Sequence, residues 1–585
     1  MGLGDISLAC AAAAVDALVA GGVRHACVSP GSRSTALALA LARDDRITVH
    51  VHLDERSGAF FALGIAKATG EPVVVACTSG SAVAELFPAV VEASQSRTPL
   101  VLLTADRPPR LRGTGANQTI VQEDLFGRYA RAYVEPPVPA TPADVAAWRD
   151  AGRRAVEAAL GTPRGPVHLN APFEEPLVPE GDGLAPEPAS AWVPVPAEPD
   201  VEAAEAALES FLAHHAGRRG VLTIGSLAYP PKTLALLSLG TLLGWPVLAE
   251  PLSGLRLDAS DAGRALAAGQ FLAGDAAWLD RHRPEVVLQA GAAPTTRSTQ
   301  ALVAVAETLV VLDRDHLDPD PAGRAERRIH VDPELFAALV WDRAAAGDAA
   351  PVADPAWSES WRTADLLART TVDRSLDGWD EPFEGRVARD LAAFVPNGSV
   401  LAVGSSTPVR DLDAFMAPRR PPRMWSERDL MRVVANRGAS GIDGFVSTAL
   451  GAAAADTGPV YALMGDLTFL HDAGGLLWSA SRGVDAVLVV VANGGGRIFS
   501  MLEQRGLPEH EELFVTPPPV AIEGVCAAAG AGHVRVERSG DFLPAVERAA
   551  RAGGVQIVEL ASDPDLDLER RETIRTAVAN ALATR

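Results

Sequence analysis

The stretch ITVHVHLDERSGAFFALGIAKATG, residues 47–70, passes from one kind of secondary structure to another within a few residues. Its first part alternates apolar and polar residues, which is the period of a β-strand, and its second part is an apolar run of small residues typical of a buried helix. Two acids, Asp54 and Glu55, stand at the junction. A strand that leads directly into a helix is the repeating unit of α/β proteins, so the fold begins here and the two carboxylates need an explanation.

The same alternation of strand and helix continues along the whole chain. A helix is expected over 81–96, and the short apolar strands are expected at 25–30, 47–53, 72–78, 99–105 and 165–173, then at 219–225, 284–291 and 308–315, and finally at 398–406, 459–466 and 485–493. Apolar strands separated by helices indicate parallel sheets that are covered on both faces. The predicted fold class is therefore α/β, with three doubly wound parallel-sheet domains.

Composition marks the boundaries between these units. Residues 174–200 are rich in proline, which indicates an extended linker, and a polar segment rich in Ala and Asp spans 343–356. The predicted organisation is a first domain at 1–180, a linker at 181–200, a central domain at 201–345, a connector at 346–375 and a third domain at 376–585.

Charge and cysteine content exclude several classes of protein. The formal net charge of −22 argues against a nucleic acid partner, although a few local arginines are enough to bind small anions. The four cysteines form no CxxC pair, and Cys27 and Cys77 lie in apolar strands, where they are expected to be core residues. No uninterrupted apolar run reaches the roughly 18 residues of a membrane helix, so the expected location is the cytoplasm, without stable insertion in a membrane.

Polar side chains follow two strands of the third domain at the point where each strand ends. Asp466 follows the strand 459–466, and Asn493 ends the strand 485–493 and is followed by glycines 494–496. Ligands of doubly wound sheets bind at the carboxyl ends of the strands, and Mg²⁺ prefers carboxylate, amide and carbonyl oxygens together with phosphates. The pair therefore indicates a site for a diphosphate and a metal ion. The alternative is that Asp466 is a helix cap and Asn493 a turn residue.

The sequence Gly465-Asp466 followed by Asn493 resembles the motif of the thiamine diphosphate (ThDP) enzyme family, with Leu467 where that motif normally has a second glycine. The resemblance implies a pyrimidine-binding domain, a central domain and a diphosphate-binding domain, and it implies ThDP and Mg²⁺ (or Mn²⁺) as cofactors. It also implies active sites between two subunits, and so a homodimer or homotetramer. The metal ligands that it implies are Asp466, Asn493 and Gly495, and the further cofactor contacts are Ser405, Ile442, Leu467, Thr468 and Ile498.

The resemblance also gives Glu55 a role. In this family a glutamate at a strand end of the first domain bonds the pyrimidine ring and helps the cofactor lose its reactive proton, a task that burial of the carboxylate favours. Asp54 is the weaker candidate, and it is expected to start the helix. The alternative is that both acids form an exposed first turn. Ile442 matches the large apolar residue that holds the cofactor in its bent form, and the alternative is an ordinary core residue.

Arginines in loops after predicted strands point to an anionic substrate. A single arginine at a strand end is more often part of a surface ion pair, but several in loops that border one cofactor indicate a substrate with several carboxylates. These loops carry Ser32, Arg33, Arg107, Asn117, Gln118, Ser405, Ser406, Arg410 and Arg437.

Within the ThDP family, the segments SPGSRST, HLDERSGAFFALGIAKATG, TADRPPRLRGTGANQTI, NRGASGIDG and GGGRIFSMLEQ together resemble a subfamily of menaquinone biosynthesis. The resemblance implies decarboxylation of 2-oxoglutarate followed by a conjugate addition to isochorismate. Its implied catalytic residues are Glu55, Arg33, Arg107, Gln118, Ser406, Arg410 and Arg437, with Ser32, Asn117, Arg297, Ile498 and Phe499 as further substrate contacts. The division expected among them gives the donor to Arg410, Arg437 and Ser406, and gives isochorismate or the adduct to Arg33, Arg107 and Gln118.

Three other classes of protein fit the sequence less well than this interpretation. An acetohydroxyacid synthase or a simple 2-oxoacid decarboxylase acts on small apolar donors and does not need this set of arginines. A nucleotide-dependent oxidoreductase is disfavoured because no G-x-G-x-x-G opens a helix after a strand. A binding-only relative is disfavoured because Glu55, Asp466 and Asn493 are all present. Residues 500–514 are either a lid over the site or a solvated charged helix end, and the sequence does not choose between the two.

Overall fold

The computed structural model describes residues 2–181, 200–227, 233–259, 263–315, 319–422, 426, 429–480 and 482–583. Each of the three predicted units has its own parallel sheet, of six, five and six strands. The predicted α/β fold class is therefore confirmed. The predicted linker 181–200 lies outside the described residues except for its first and last residue.

The first sheet contains all the strands predicted for its domain and one that was missed. Its strands are β1 (His25–Val28), β2 (Thr48–Val51), β3 (Val73–Cys77), β4 (Leu100–Asp106), β5 (Tyr133–Val134) and β6 (Pro166–Pro172). The spatial order is β2-β1-β3-β4-β6-β5. The missed strand, β5, is a two-residue edge strand, too short to show a periodic pattern. Cys27 and Cys77 are buried in strands, as predicted.

The helices that cover this sheet are α1 (Leu3–Ala20), α2 (Thr35–Ala42), α3 (Glu55–Thr69), α4 (Ser81–Ala84), α5 (Phe87–Gln95) and α6 (Asp144–Leu160). The single helix predicted over 81–96 is in fact two, and Pro88 lies in the first turn of the second one, where a proline is tolerated. Among the described residues, α1 is by length and composition the one helix able to cross a membrane, but 83% of its apolar window is buried inside the protein. It packs against α2 and α6 as a core helix.

The central domain adds a smaller sheet. Its strands are β7 (Gly220–Ile224), β8 (Val247–Ala249), β11 (Val286–Ala290), β12 (Thr308–Leu312) and β13 (Ala325–Ile329), with a separate hairpin of β9 (Asp258–Ala259) and β10 (Gly263–Arg264). Its helices are α7 (Val201–His215), α8 (Ala235–Leu243), α9 (Gly269–Gly274), α10 (Ala276–Arg281), α11 (Arg297–Val305), α12 (Pro333–Ala345) and α13 (Pro355–Asp377). Helix α13 occupies most of the segment predicted as a connector and buries Trp357 and Trp361 in the central core.

The third domain carries the strands β14 (Val400–Val403), β15 (Arg432–Val434), β16 (Val460–Gly465), β17 (Ala486–Ala492), β18 (Gly532–Val536) and β19 (Val555–Ala561). Its helices are α14 (Glu384–Phe394), α15 (Thr407–Phe415), α16 (Phe445–Ala454), α17 (Asp466–His471), α18 (Ala473–Ser479), α19 (Ile522–Ala529), α20 (Ser539–Ala552) and α21 (Pro564–Ala583). The last helix, α21, packs against α13 and places Ile574, Val578 and Leu582 in the hydrophobic core of the central domain.

The first and third sheets share one strand order, and the central sheet repeats its first four positions. The central sheet runs β13-β12-β11-β7-β8, and the third sheet runs β15-β14-β16-β17-β19-β18. In each of these three sheets the second strand in chain order pairs with one side of the first strand, and the third strand pairs with its other side. Such a reversal opens a crevice beyond the carboxyl ends of the first and third strands, and ligands bind there. The crevices of the first and third domains lie between β1 and β3 and between β14 and β16 respectively.

The first and third domains are joined by closely crossing helices. An ideal Cβ atom on Gly64 of α3 would lie 2.0 Å from the carbonyl oxygen of Thr448, and one on Gly451 of α16 would lie 2.0 Å from that of Phe61. Two backbones come this close only where both helices present glycine. Because α3 begins at Glu55 and α16 follows the loop with Ile442, this crossing fixes two candidate site residues relative to each other.

Candidate active site

Asp466 lies just beyond β16 and is 2% exposed. Its Oδ1 accepts a hydrogen bond from the Leu467 amide at 2.7 Å, and its Oδ2 accepts from the amides of Gly494 and Gly495, both at 2.9 Å. Burial raises the pKa of this carboxyl group, while the three backbone donors act in the opposite direction. The carboxylate thus ties the end of β16 to the glycine loop that follows β17.

Asn493 is the last residue before that loop and is 8% exposed. Its Nδ2 donates to Glu384 Oε1 at 2.7 Å. Its Oδ1 is buried and accepts no hydrogen bond from the described part of the chain. Burial, and then the charge of Asp567, raise the pKa of Glu384 to about 8, whereas Arg571 and the bond from Asn493 act in the opposite direction.

These groups fit a divalent cation of the Mg²⁺ type. A buried amide oxygen without a hydrogen-bond donor costs free energy unless something else coordinates it. Asn493, which carries this oxygen, directly precedes the glycine loop whose amides bind Asp466. Gly495 has a φ of 121°, and a Cβ on it would lie 2.2 Å from the carbonyl oxygen of Val515. Only glycine therefore fits there. The described residues contain no cluster of three or more His, Cys, Asp or Glu side chains for a metal, so the candidate set is the mixed oxygen set that Mg²⁺ accepts.

The turn after β14 is strained. Ser406 has φ 72° and ψ −133°, a region that residues other than glycine rarely occupy and that is often found at functional sites. Arg410 Nη1 donates to the Ser406 carbonyl at 2.6 Å, and Ser405 Oγ donates to the Asn436 carbonyl at 3.2 Å. The Ser405–Ser406 turn is therefore held from both sides.

Three arginines meet near this turn. Burial lowers the pKa of Arg410, and the charges of Arg437 and Arg297 lower it further. Burial also lowers the pKa of Arg437. Arg297 begins helix α11 of the central domain, so the cluster is shared by two domains. A cation whose pKa is lowered by neighbouring cations is stabilised by an anionic ligand bound beside it.

The loop that carries Arg437 is held by the first domain. Glu92 is 3% exposed, and its carboxylate accepts from the amides of Gly438 at 3.1 Å and Ala439 at 2.7 Å. Lys67 Nζ bonds both Glu92 Oε1 at 2.7 Å and the Ala435 carbonyl at 2.6 Å. Ile442 is half-buried at the far end of the same loop. The first domain thus fixes the position of a loop that belongs to the third.

Asp54 and Glu55 take different positions in the structure, and Asp54 starts the helix as the sequence predicted. Asp54 is the N-cap of α3 and accepts from the Ser57 amide at 3.2 Å. Glu55 is half-buried in the first turn, and burial raises the pKa of its carboxyl group, with smaller contributions from Asp54 and Glu85. A raised pKa in a carboxyl group at a strand-to-helix joint is the property that a proton-sharing glutamate needs.

A second cationic cluster lies in the first domain. Arg107 donates to Ser79 Oγ and, at 2.8 Å, to the Gln118 carbonyl. Burial lowers its pKa, and the charge of Arg33 lowers it further. Arg33 itself donates to the Phe173 carbonyl at 3.0 Å. Gln118 has a φ of 54°, and its Nε2 donates to the Ser79 carbonyl at 3.1 Å.

The remaining candidates surround these clusters. Ser32 and Asn117 are exposed, Leu467 is half-buried and Thr468 is buried. Ile498 and Phe499 are half-buried in a short 3₁₀ helix, Arg497–Met501, directly after the glycine loop. Residues 500–514 form further short turns that return to this loop, since the Gly496 amide donates to the Val515 carbonyl at 2.7 Å and Arg497 pairs with Glu511 at 2.8 Å.

Sequence reasoning missed several buried carboxylates that support the site. Glu92 had a signal, because it is a lone charge in the apolar run PAVVEAS. Glu250 and Glu384 had none, since each takes its partners from segments far away in the chain. Glu250 accepts from the Thr295 amide at 2.6 Å, and its charge opposes the fall in the pKa of Arg437.

A buried carboxylate and a free amide oxygen beside a glycine loop, with a half-buried glutamate at a strand-to-helix joint of a second domain, define a thiamine diphosphate enzyme. Two family models agree with that class: the N-terminal TPP binding domain of thiamine pyrophosphate enzymes matches residues 9–125, and the C-terminal TPP binding domain matches 423–560. More particularly, the chain belongs to the family of 2-succinyl-5-enolpyruvyl-6-hydroxy-3-cyclohexene-1-carboxylate synthases.

Relatives that carry this name align along nearly the whole chain. The protein of Thermobifida fusca is 42% identical over 98% of this chain and 99% of its own length. That of Saccharopolyspora erythraea is 40% identical over 97% and 98%, and that of Chloroflexus aurantiacus is 39% identical over 98% and 96%. The predicted ThDP-dependent synthase function is therefore favoured over the alternative ThDP enzymes, and ThDP is confirmed as the cofactor.

Proposed function

We propose that this chain decarboxylates 2-oxoglutarate and joins the four-carbon fragment to isochorismate by conjugate addition, in the cytoplasm. The name that the relatives carry describes a product with a succinyl group on an enolpyruvyl-hydroxycyclohexene-carboxylate ring. A 2-oxoglutarate donor supplies that succinyl group after loss of carbon dioxide, and isochorismate supplies the ring. The reaction is thus the one that accounts for every part of the product.

The observation that carries this proposal is the arrangement of guanidinium groups in two clusters. One is formed by Arg33 and Arg107, and the other by Arg297, Arg410 and Arg437. Arg107 and Arg410 donate to neutral oxygens rather than to carboxylates, whereas Arg33 also pairs with Glu175 at 3.2 Å. Two dicarboxylate substrates would supply carboxylate partners to Arg107 and Arg410, and arginine binds carboxylates with two parallel hydrogen bonds.

Bound ThDP supplies an electron sink for decarboxylation and the nucleophilic carbon. Within the protein, Glu55 holds a proton at its carboxyl group for exchange with the pyrimidine ring, which its raised pKa favours. Arg410 and Arg437, with Ser406, orient the carboxylates of 2-oxoglutarate. Arg33, Arg107 and Gln118 orient isochorismate, with Ser32 and Asn117 at the exposed edge of the same crevice. Arg297, Ile498 and Phe499 complete the substrate-binding set.

The proposed cation site consists of the Asp466 carboxylate, the Asn493 Oδ1 and the Gly495 carbonyl, and it would hold Mg²⁺ or Mn²⁺. Ser405, Leu467, Thr468, Ile442 and Ile498 would contact the cofactor. In this assignment residues 1–180 form the pyrimidine-binding domain and 376–585 the diphosphate domain, with 201–345 between them. The free Oδ1 of Asn493 supports the cation, since no other described group satisfies it.

We also propose that the complete site forms between two copies of the chain, in a homodimer or a homotetramer. Large apolar side chains are exposed in the first domain, among them Leu53, two residues before Glu55, at 64% and Val121 at 75%. Leu477 is 48% exposed on α18, whose Trp478 Nε1 donates to the Val51 carbonyl at 2.6 Å. Apolar surface of this kind marks a protein interface, and it borders the half of the site that carries Glu55.

Mixing two inactive variants tests this shared site. One copy carries Glu55→Gln and the other Asp466→Asn. If each site takes Glu55 from one copy and Asp466 from the other, a mixed dimer has one intact site, and random exchange restores about a quarter of wild-type activity. If each copy builds its own site, both sites stay damaged and mixing restores nothing. Each variant mixed with itself is the control.

Release of carbon dioxide tests the reaction itself. We expect release from 2-oxoglutarate to need ThDP and Mg²⁺, to become fast only with isochorismate present, and to fall by about 10²- to 10⁴-fold in Glu55→Gln. Pyruvate is the control donor, because it lacks the second carboxylate. Turnover that prefers pyruvate, or that ignores isochorismate, would leave the ThDP class in place and remove the proposed substrates.

The division of substrates among the arginines has its own test. Replacing Arg107 by Lys keeps the charge and removes the two-pronged hydrogen bonding. We expect the KM for isochorismate to rise while the KM for 2-oxoglutarate stays within about twofold. An Arg107→Lys enzyme that loses affinity for 2-oxoglutarate alone would show that the division is wrong.

A further inference from the structure

The amide group of Asn493 has two ends of nearly the same shape, and only one of them bears an acceptor oxygen. Its Nδ2 faces Glu384 Oε1 at 2.7 Å, and its Oδ1 faces away without a partner among the described residues. A carboxylate oxygen accepts hydrogen bonds from an amide nitrogen and repels an amide oxygen. The orientation of the Asn493 side chain is therefore set by Glu384.

Glu384 is itself held in place by a buried network. It is 6% exposed in the first turn of α14, its Oε2 lies 3.5 Å from Arg571 Nη2, and its amide donates to Asp567 Oδ1 at 3.3 Å. Arg571 also pairs with Asp567 at 2.5 Å and with Asp411 at 2.5 and 2.9 Å. Because Arg571 lies beside Oε2 of Glu384, Oε1 remains available to accept from Asn493.

The buried ion pairs around Arg571 connect three helices. Glu384 belongs to α14, Asp411 to α15, and Asp567 and Arg571 to α21. Asp411 follows Arg410, one of the proposed donor-binding residues, so the same buried ion cluster lies behind both the amide and that guanidinium. None of these carboxylates has been given a role in the reaction above.

We propose that Glu384 is a positioning residue, which turns the Oδ1 of Asn493 toward the divalent cation that the cofactor's diphosphate requires. This inference rests on the proposed cation site of Asp466, Asn493 and Gly495. Groups that orient a metal ligand through a hydrogen bond commonly change metal affinity by about 10- to 100-fold when they are removed. Glu384→Gln presents an amide instead of an obligatory acceptor, so it lets Asn493 turn its nitrogen toward the cation.

The experiment measures binding of Mn²⁺ to the full-length protein in the presence of ThDP, from the loss of the free-ion electron paramagnetic resonance signal. We expect the Kd for Mn²⁺ to rise about 10- to 100-fold in Glu384→Gln. The matched control is Asp365→Asn, a buried carboxyl-to-amide change in the central domain, where Asp365 accepts from the Ala267 and Ala268 amides. Its Mn²⁺ affinity should equal that of the wild type.

A rescue separates orientation of the amide from a merely structural role. In the double variant Glu384→Gln/Asn493→Asp, the new glutamine donates its Nε2–H to one carboxylate oxygen, and the other oxygen faces the cation. We expect Mn²⁺ affinity to return to within about threefold of the wild type. If Glu384 only supported the Arg571 network, the double variant would remain as weak as Glu384→Gln, and the proposal would be overturned.

Two further variants distinguish a failure of the proposed cation site from a failure of the proposed role of Glu384. Asp466→Asn tests the cation site directly: if it binds Mn²⁺ like the wild type, the proposed site is wrong. If Asp466→Asn loses Mn²⁺ while Glu384→Gln keeps wild-type affinity, the cation site stands and the role of Glu384 is refuted. Should Glu384→Gln not fold, Glu384→Asp keeps the charge beside Arg571 and withdraws the acceptor from Asn493. Unchanged affinity in that variant would equally refute the proposal.

Discussion

The crossing of α3 and α16 gives the sharpest prediction, because its spacing leaves no room for a side chain. In Gly64→Ala the new methyl group starts 2.0 Å from the Thr448 carbonyl oxygen, and Cβ atoms essentially never come within 3.0 Å of a heavy atom elsewhere in the chain. A backbone carbonyl inside a helix cannot rotate away. The two helices must therefore move apart by about 1 Å at this point, since overpacked interiors relieve strain by backbone shifts.

The energetic cost follows from what the helices bury together. Phe60, Phe61 and Leu450 lie in the hydrophobic core that α3 and α16 share, and burial of each such side chain stabilises by about 1.5–3 kcal/mol. A gap of about 1 Å forfeits roughly a quarter to a half of the attraction across it. That loss is about 3 kcal/mol in total, and the better helix propensity of alanine offsets about 1 kcal/mol. The net destabilisation is about 2 kcal/mol. This is about 2 °C in melting temperature for a chain of 585 residues, since the unfolding entropy is about 2.1 cal/mol/K per residue.

Scanning calorimetry of the wild type and two alanine variants measures this difference. Gly524→Ala is the matched control, because Gly524 is also inside a helix, α19, but a Cβ on it would meet nothing within 4 Å. We expect that control to melt at or slightly above the wild-type temperature. We expect Gly64→Ala to melt lower and to lose activity as well, since α3 begins at Glu55. Equal melting temperatures for the two variants would refute the close crossing on which the calculation rests.

Three further outcomes are expected. Glu55→Gln should lower carbon dioxide release by about 10²- to 10⁴-fold, as loss of general acid–base catalysis does, while ThDP still binds with near wild-type affinity in calorimetry; retained turnover would contradict its role. Arg410→Lys should raise the KM for 2-oxoglutarate about tenfold or more, because lysine lacks the two-pronged hydrogen bonding; a change confined to the KM for isochorismate would contradict the assignment. Burial raises the pKa of Asp472 to about 6 from an ordinary 3.8. The folded protein therefore binds this proton more tightly than the unfolded chain does. The contribution of Asp472 to the free energy of unfolding should increase as pH falls from about 6 toward 4. Asp472→Asn should remove that contribution from melting curves measured across this interval, and an unchanged pH dependence would show that Asp472 does not titrate there.

Much of the candidate site was predictable because parallel sheets obey a simple geometric rule. Apolar strands buried on both faces read as continuous runs, so the strands that end at Asp466 and Asn493 were recognisable from sequence alone. The carboxyl ends of parallel strands lie at one edge, which predicted that these two residues meet. The structure joins them through the Gly494 and Gly495 amides.

The misses have equally physical causes. The missed strands β5, β8, β13, β15 and β18 all lie at sheet edges, where strands are short or alternate in burial, as Ala325–Ile329 does. The missed strand β19 lies inside the third sheet, but Gln556 and Glu559 interrupt its apolar run. The break between α4 and α5 was hidden because both halves of that segment are apolar and have good helical periodicity.

The sequence by itself determined the α/β class, the family and the residue types of the site, because each depends on local patterns. These patterns are the period of the apolar residues, the polar residues at strand ends, and the spacing of glycine and arginine. Only the tertiary structure decided which distant groups hold those residues. It brought Glu92 to the loop of Arg437, Glu384 to Asn493, and α21 back onto the central core. Burial of a charge is stable only beside a partner, and partners that are more than a hundred residues away along the chain leave no trace in either segment alone.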